Sequence, residues 1–399
     1  MKRIQKRSGV VSFLTGLLPL FTLAHFGHHV MLALLSPLLP FIRRDFFLSY
    51  TQAGGLVSAY SIAYGISQLP AGLAADRLGS RNLLTIGVAG VAFTGFLIGL
   101  SPNYIVMVLL LVVMGLVGGG YHPSASPLLS ASVKPEYRGR ALGIHQVGGT
   151  TSFFLAPLIV AGVASALGWR GTFMATAIPT LSFGIIFHLL LGKMGYAGTA
   201  QGKEAEAPAV QLSGPGEMRR LSAFIAIGIT SMVLIQTTLQ FIPLYAVDVL
   251  GASEEQGAAL LSIAYFGGIL GAPLGGYISD RLGRIPVIIA VGLISGPAIY
   301  LLNHVSLGVS LYFVLLLLGI AMHAGMPVVE SYIIGHVSPQ KRSTVLGIYY
   351  MVSRGGPAIA FLLGYLIDTY QFFITLSGVS IAMLAVAIVG MTLLWGKRG

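Results

Sequence analysis

The sequence predicts an all-α polytopic membrane protein, with twelve transmembrane helices in two pseudo-symmetric six-helix bundles. Three observations carry the prediction. Charged residues make up 9% of the 399 and hydrophobic ones 55%, whereas soluble domains carry about 25% charged residues; mean hydropathy is +0.86. Residues 103–133 and 141–169 contain no Asp, Glu, Lys or Arg, and a bilayer span needs only about 20 apolar residues. Blocks of the first half also recur in the second at a constant offset of 204 residues.

Polar breaks place the spans, in order, at 12–40, 50–74, 83–101, 104–130, 141–167, 171–192, 221–247, 256–278, 286–302, 308–333, 344–367 and 372–395. The basic start (Lys2, Arg3, Lys6, Arg7) precedes an apolar stretch too long for a signal peptide, so it reads as the first helix. Strands are excluded because the runs lack barrel alternation and open sheet edges cannot sit in lipid. The polar stretch between spans 6 and 7 reads as a flexible linker. The predicted division is therefore 1–192 for the N-terminal bundle, 193–220 for the linker and 221–399 for the C-terminal bundle.

Lysine and arginine orient the spans. With the N-terminus inside, 19 of the 23 fall on the cytoplasmic side, in the N-terminal segment, 77–81, 134–140, 193–220, 281–284, Lys341–Arg342 and Lys397–Arg398. Arg43, Arg44 and Arg170 fall outside, and Arg354 lies within a span. The positive-inside rule then predicts a multi-pass protein of the cytoplasmic membrane with both termini cytoplasmic. Clustering at span ends also argues against nucleic acid as the partner of the net +11 charge. Cysteine is absent, which excludes thiol catalysis and disulfides.

The repeat is specific. Gly72, Asp76, Arg77, Gly79 and Arg81 lie between spans 2 and 3, and Gly276, Asp280, Arg281, Gly283 and Arg284 between spans 8 and 9. Pro135 and Arg138 recur as Pro339 and Arg342, and Leu142-Gly143-Ile144 as Leu346-Gly347-Ile348. Parallel repeats with a site between them are a transporter plan.

On these doubled loop motifs the chain resembles the major facilitator superfamily over essentially its whole length. The resemblance implies that both loops act as a conformational latch between the bundles. Tyr121-His122-Pro123-Ser124, His145-Gln146-Val147-Gly148-Gly149 and Leu155-Ala156-Pro157 further resemble the fosmidomycin-resistance-type branch, which implies proton-coupled drug or metabolite efflux. Ser124 and His29 stand where that branch often carries acids, and Ala156 where it carries glycine.

Ionisable groups within a span are costly and usually functional. Glu330 in span 10 and Arg354 in span 11 lie at matching depths, about 13 and 16 Å from the linker face at 1.5 Å per residue, and are predicted to pair. The pair reads either as a brace between helices, or as a proton carrier (Glu330) beside an anion-binding cation (Arg354). His25, His29, His122 and His145 are further proton candidates, each equally readable as a packed, hydrogen-bonded side chain. Gln146, Gln236, Gln240, Tyr60, Tyr64 and Tyr349 complete the predicted substrate and proton pathway. His25 and His29 have metal-ligand spacing, but no acid or cysteine stands near in sequence, so no metal site is predicted.

The expected function is secondary active transport of a small amphipathic or organic-anion compound by alternating access, export favoured. Uptake or uniport of an organic anion is the rival, and a metal or siderophore cargo the weaker one. A membrane enzyme or receptor would show clustered acids at one face; the cytoplasmic acids here belong to repeated loops. No catalytic residues and no cofactor are expected. The partners are a small molecule, protons and the lipid bilayer, and the functional unit is a monomer.

Overall fold

The computed structural model describes residues 17–134, 137–194, 215–337 and 339–394, and their side chains except at 69, 72–77, 131, 215 and 339–344. Apart from short turns these residues are helical, with no strand among them. Among the described residues, nine helices are long and apolar enough to cross a membrane. Two of these, Arg138–Lys193 and Val345–Leu394, each contain two spans, because the chain folds back at a left-handed residue, Gly168 (φ 64) and Gln371 (φ 63). With Tyr50–Leu78 the spans number twelve.

The spans are α1 (Leu18–Phe46), α2 (Tyr50–Leu78), α3 (Ser80–Gly99) and α4 (Tyr104–Ser130). Next come α5 (138–167) and α6 (169–193), α7 (Pro215–Asp248), α8 (Glu254–Leu282) and α9 (Arg284–Leu301). Last are α10 (Val309–His336), α11 (339–370) and α12 (372–394). Helices that bond every backbone group internally are the segments a bilayer tolerates. Most of the predicted spans match to within a few residues.

The first span is the main displacement at its far end, reaching Phe46 rather than residue 40, while residues 1–16 lie outside the description. Arg43, Arg44 and Asp45 stay helical because each has a partner at the end of another span. Arg43 pairs with Asp248 at 3.0 Å, Arg44 with Glu254 at 2.8 Å, and Asp45 with Arg170. Helix α7 begins at Pro215, inside the segment predicted as linker, and residues 195–214 lie outside the description.

The 204-residue repeat is written in the backbone. Left-handed conformations at Phe47 and Gly79 recur at Gly251 and Gly283 with that offset, and Gly168 has its counterpart one residue short of it, at Gln371. Ser49 and Gln52 exchange capping-box hydrogen bonds at the start of α2. Ser253 and Gln256 do the same for α8. Each box satisfies helix N–H groups that would otherwise lack partners.

Three irregularities shape the interior. α1 bends near Leu34, where Pro37 has no N–H to give the Ala33 carbonyl. α3 carries a π-turn at Ile86–Gly90, which frees carbonyls for outside donors. α4 breaks at Gly119-Gly120, ahead of Tyr121, His122 and Pro123.

Candidate functional site

The two bundles touch at the face that carries the short turns after α1, α7 and α11. Besides the pairs of Arg43 and Arg44, Asp368 of α11 accepts from the Tyr50 N–H (3.0 Å), the Thr51 N–H (2.8 Å) and the Thr51 hydroxyl (2.5 Å). Deeper in, the Ser58 hydroxyl donates to the Ala358 carbonyl at 2.6 Å and accepts the Phe361 N–H at 2.9 Å. Ser262 of α8 donates to the Phe154 carbonyl of α5 at 2.8 Å. Gly54 lies against α11 so closely that a Cβ would sit 2.2 Å from the Ala360 carbonyl oxygen. This face is sealed.

Below the seal lies a cavity lined from both bundles. His29 and Ser36 of α1, Tyr60, Ser61 and Tyr64 of α2 and Phe153 of α5 face Gln236 and Gln240 of α7, Tyr265 of α8 and Arg354 of α11. It encloses about 70 Å³, space for waters but short of the roughly 300 Å³ or more of an organic-ligand pocket. A larger hollow of about 620 Å³ between α5, α8 and α10 includes Phe154, Leu158 and Phe266, and no charged side chain lines it.

The structure therefore brings His29, Tyr60, Tyr64, Gln236, Gln240 and Arg354 of the predicted set to one cavity. Phe153 and Ser36 are additions that the sequence does not signal; a lone aromatic or serine in an apolar run carries no mark of its own. Gln146 is exposed and lies outside the cavity lining. Tyr349 is buried in the packed core of the second bundle beside Leu221, Tyr332 and Ile333, not in the cavity.

The predicted Glu330–Arg354 contact is corrected. Among the described residues, no ion pair within 4 Å joins them. Glu330 instead lies near the Tyr350 hydroxyl and within electrostatic range of Arg354. Depth along a span is countable from sequence, but the direction a side chain takes around an evenly apolar helix is not.

Behind the cavity wall stand five imidazoles. His25 and His29, one turn apart on α1, face His122 of α4, and the His29 and His122 Nε2 atoms are 3.2 Å apart. His25 stacks on His145 with centroids 4.2 Å apart, and His28 stacks on Tyr121 at 4.4 Å. Backbone carbonyls fix three tautomers, since a carbonyl only accepts. Nδ1–H of His25 donates to His145 O at 2.8 Å, that of His28 to Gly87 O at 2.6 Å, and that of His145 to Phe21 O at 3.1 Å. Gly87 belongs to the π-turn of α3. Gly149 leaves room for the first of these rings: a Cβ there would lie 2.6 Å from the His25 ring.

Of the loop motifs, Gly79 and Gly283 adopt positive φ (80 and 91) and start α3 and α9. Arg81 donates to the His188 carbonyl at 3.1 Å, and Arg284 to the Ser331 hydroxyl at 3.0 Å. Arg281 lies 4.5 Å over the Tyr277 ring. Gly276 has space around it and Asp280 is exposed. Side chains 72–77, with Asp76 and Arg77, lie outside the description, as do Pro135 and the Arg342 side chain.

Two six-helix bundles closing on a polar cavity within the membrane form the architecture of a secondary transporter. Residues 21–360 and 248–399 match the Major Facilitator Superfamily, and the chain belongs to that family; it is a multi-pass membrane transporter, not an enzyme. It is 25% identical over 374 residues to the uncharacterized MFS-type transporter YfnC of Bacillus subtilis, covering 92% of this chain and 88% of that one. It is 26% identical over 340 residues to the cis,cis-muconate transport protein of Acinetobacter baylyi, covering 82% and 81%. The crystal structure of the nucleoside transporter NupG superposes with a TM-score of 0.76 at 14% identity, covering 96% of this chain and 100% of that one, a likeness of fold.

Proposed function

We propose that the protein carries a small organic anion across the cytoplasmic membrane by alternating access, driven by protons, as a monomer with both termini cytoplasmic. The observation that supports this most is Arg354, the one cation among the described residues lining the cavity. A guanidinium presents five donors in a fork that fits a carboxylate, and cationic side chains at this depth are rarely retained without a task. Tyr60, Tyr64, Gln236 and Gln240 add neutral polar groups that orient a ligand without repelling its charge. A relative named for transport of muconate, an organic anion, agrees with this reading.

Glu330 is our choice of proton carrier, the acidic side chain in range of Arg354. Protonation of Glu330 removes a charge that competes with the substrate for the guanidinium. The doubled loops 72–81 and 276–284 form the latch at the opposite face when the seal around Arg43 opens. Export is the direction favoured by the branch motifs around His122 and His145.

The test is flux in proteoliposomes under an imposed pH gradient with a panel of mono- and dicarboxylates. Arg354→Ala should lower flux of the preferred anion at least tenfold, and Arg354→Lys should retain part of it. Wild-type flux in both variants overturns the assignment, and the sign of gradient-driven movement decides export against uptake.

A further inference from the structure

We propose that His25, His29 and His122 form a binding site for one divalent first-row transition-metal cation of the zinc class. One ring nitrogen from each of the three lies within 4.8 Å of the others. The two nearest, Nε2 of His29 and Nε2 of His122, are 3.2 Å apart. Two imidazole nitrogens at Zn–N distances of about 2.0–2.1 Å in a tetrahedral shell stand about 3.3 Å from each other. That pair already has the spacing of one edge of such a shell, and a ring nitrogen of His25 stands within 4.8 Å of both.

The third nitrogen is prepared for the role. His25 gives its Nδ1–H to the His145 carbonyl, which leaves the Nε2 lone pair unshared; that atom is buried and has no hydrogen-bond partner. A ligand histidine held by a carbonyl at its other nitrogen is the usual arrangement at metal sites, because it fixes the tautomer and the ring orientation. One of the two Nε2 atoms of His29 and His122 now carries the proton of their hydrogen bond; both can ligate a cation once that ring takes the tautomer with its proton on Nδ1.

Chemistry narrows the class. Three neutral imidazoles without a carboxylate suit zinc, nickel, cobalt or copper rather than calcium or magnesium, which prefer oxygen. Sequence spacing alone sets a metal aside, because no acid or cysteine stands near His25. The fold supplies the missing partner as a histidine from α4, brought in by the break before Tyr121. His29 also lines the central cavity, so the site is contiguous with it. The proposal goes beyond organic-anion transport and stands or falls by metal binding alone.

The experiment uses the untagged, metal-free full-length protein in detergent, titrated with Co²⁺ and followed by visible absorption, then with Zn²⁺ by calorimetry. One Co²⁺ per chain with a tetrahedral-type spectrum, displaced by Zn²⁺, is expected. His29→Ala and His122→Ala should each weaken binding at least tenfold, while His304→Ala, on the turn face, should not change it. Absence of stoichiometric binding, or binding that survives both substitutions, overturns the proposal. Should either variant fail to fold, wild-type protein is modified with diethylpyrocarbonate with and without Zn²⁺. Protection of His25, His29 and His122 but not His304 is expected, and equal modification overturns the site.

Discussion

Arg43 of α1 and Asp248 of α7 meet across the seam between the bundles, 3.0 Å from nitrogen to oxygen. The Tyr50 hydroxyl donates to the same carboxylate oxygen at 2.8 Å, and the Arg43 guanidinium lies 4.2 Å over the Tyr50 ring. The side chains of the ion pair are 29% and 27% exposed, so water screens them and the pair contributes at most about 1 kcal/mol. In a transporter with two near-balanced states that is enough, because about 1 kcal/mol shifts a population ratio roughly fivefold.

Asp248→Asn should therefore open the turn face more often. The chain has no cysteine, so a single Ser36→Cys in the cavity lining reports access directly. Labelling by an impermeant maleimide applied from the turn face should rise several-fold in the Asp248→Asn background. An unchanged rate would show that the seal does not depend on this pair.

Asp368 caps α2 from the other bundle, accepting two backbone N–H groups and a hydroxyl. Removing a cap costs about 1 kcal/mol. Asp368→Ala should lower the melting temperature of the detergent-solubilised protein and raise Ser36→Cys labelling in the same direction. A melting curve that coincides with the wild type counts against the cap.

Gly54 permits a close approach across the seam. In Gly54→Ala the new methyl group meets the Ala360 carbonyl at 2.2 Å, below any tolerable contact, so closure must fail or a backbone must move. Transport should fall at least tenfold in a folded protein. Gly162→Ala, where a Cβ meets nothing within 4 Å, should transport within twofold of wild type. Equal flux in the two variants would refute the steric account.

Glu330→Gln keeps the size and hydrogen-bonding capacity of the side chain and removes its titration. Accumulation driven by a pH gradient should disappear, while exchange of labelled for unlabelled anion persists. A full gradient response in the variant assigns coupling elsewhere.

Gln371 holds φ at 63, where a side chain costs about 1–2 kcal/mol. Its counterpart, Gly168, has no such cost. Gln371→Gly should raise the melting temperature by the equivalent of roughly 1 kcal/mol, less the entropy that glycine adds to the unfolded chain. A lower melting temperature would mean that the Gln371 side chain contributes more than it costs.

The span count and the order of the bundles were legible in the sequence because charge is rare enough for each polar break to carry information. The repeat was legible from Asp76-Arg77-Leu78-Gly79 and its copy, since glycine in the left-handed region is a sequence-visible requirement. Gln371 was not, because the sharp fold-back there follows from packing rather than residue type. The helical tail of α1 around Arg43–Asp45 was hidden too, because its partners lie about 125 and 205 residues away. The histidine cluster was half legible: spacing joins His25 to His29, and only tertiary structure adds His122 and His145. Glu330 and Arg354 were found by depth and misjudged in azimuth, as α10 presents no polar stripe to fix its rotation.

The backbone symmetry makes a plain asymmetry measurable. Adding 204 to His25, His29, His122 and His145 gives Ile229, Val233, Met326 and Tyr349, and subtracting it from Glu330 and Arg354 gives Ser126 and Thr150. The clustered imidazoles thus belong to one bundle, and Glu330 and Arg354 to the other, on scaffolds that share one repeat. Each position therefore has a comparison position in the opposite copy. Exchanging His29 with Val233 would ask whether the chemistry follows the residue or the bundle that holds it.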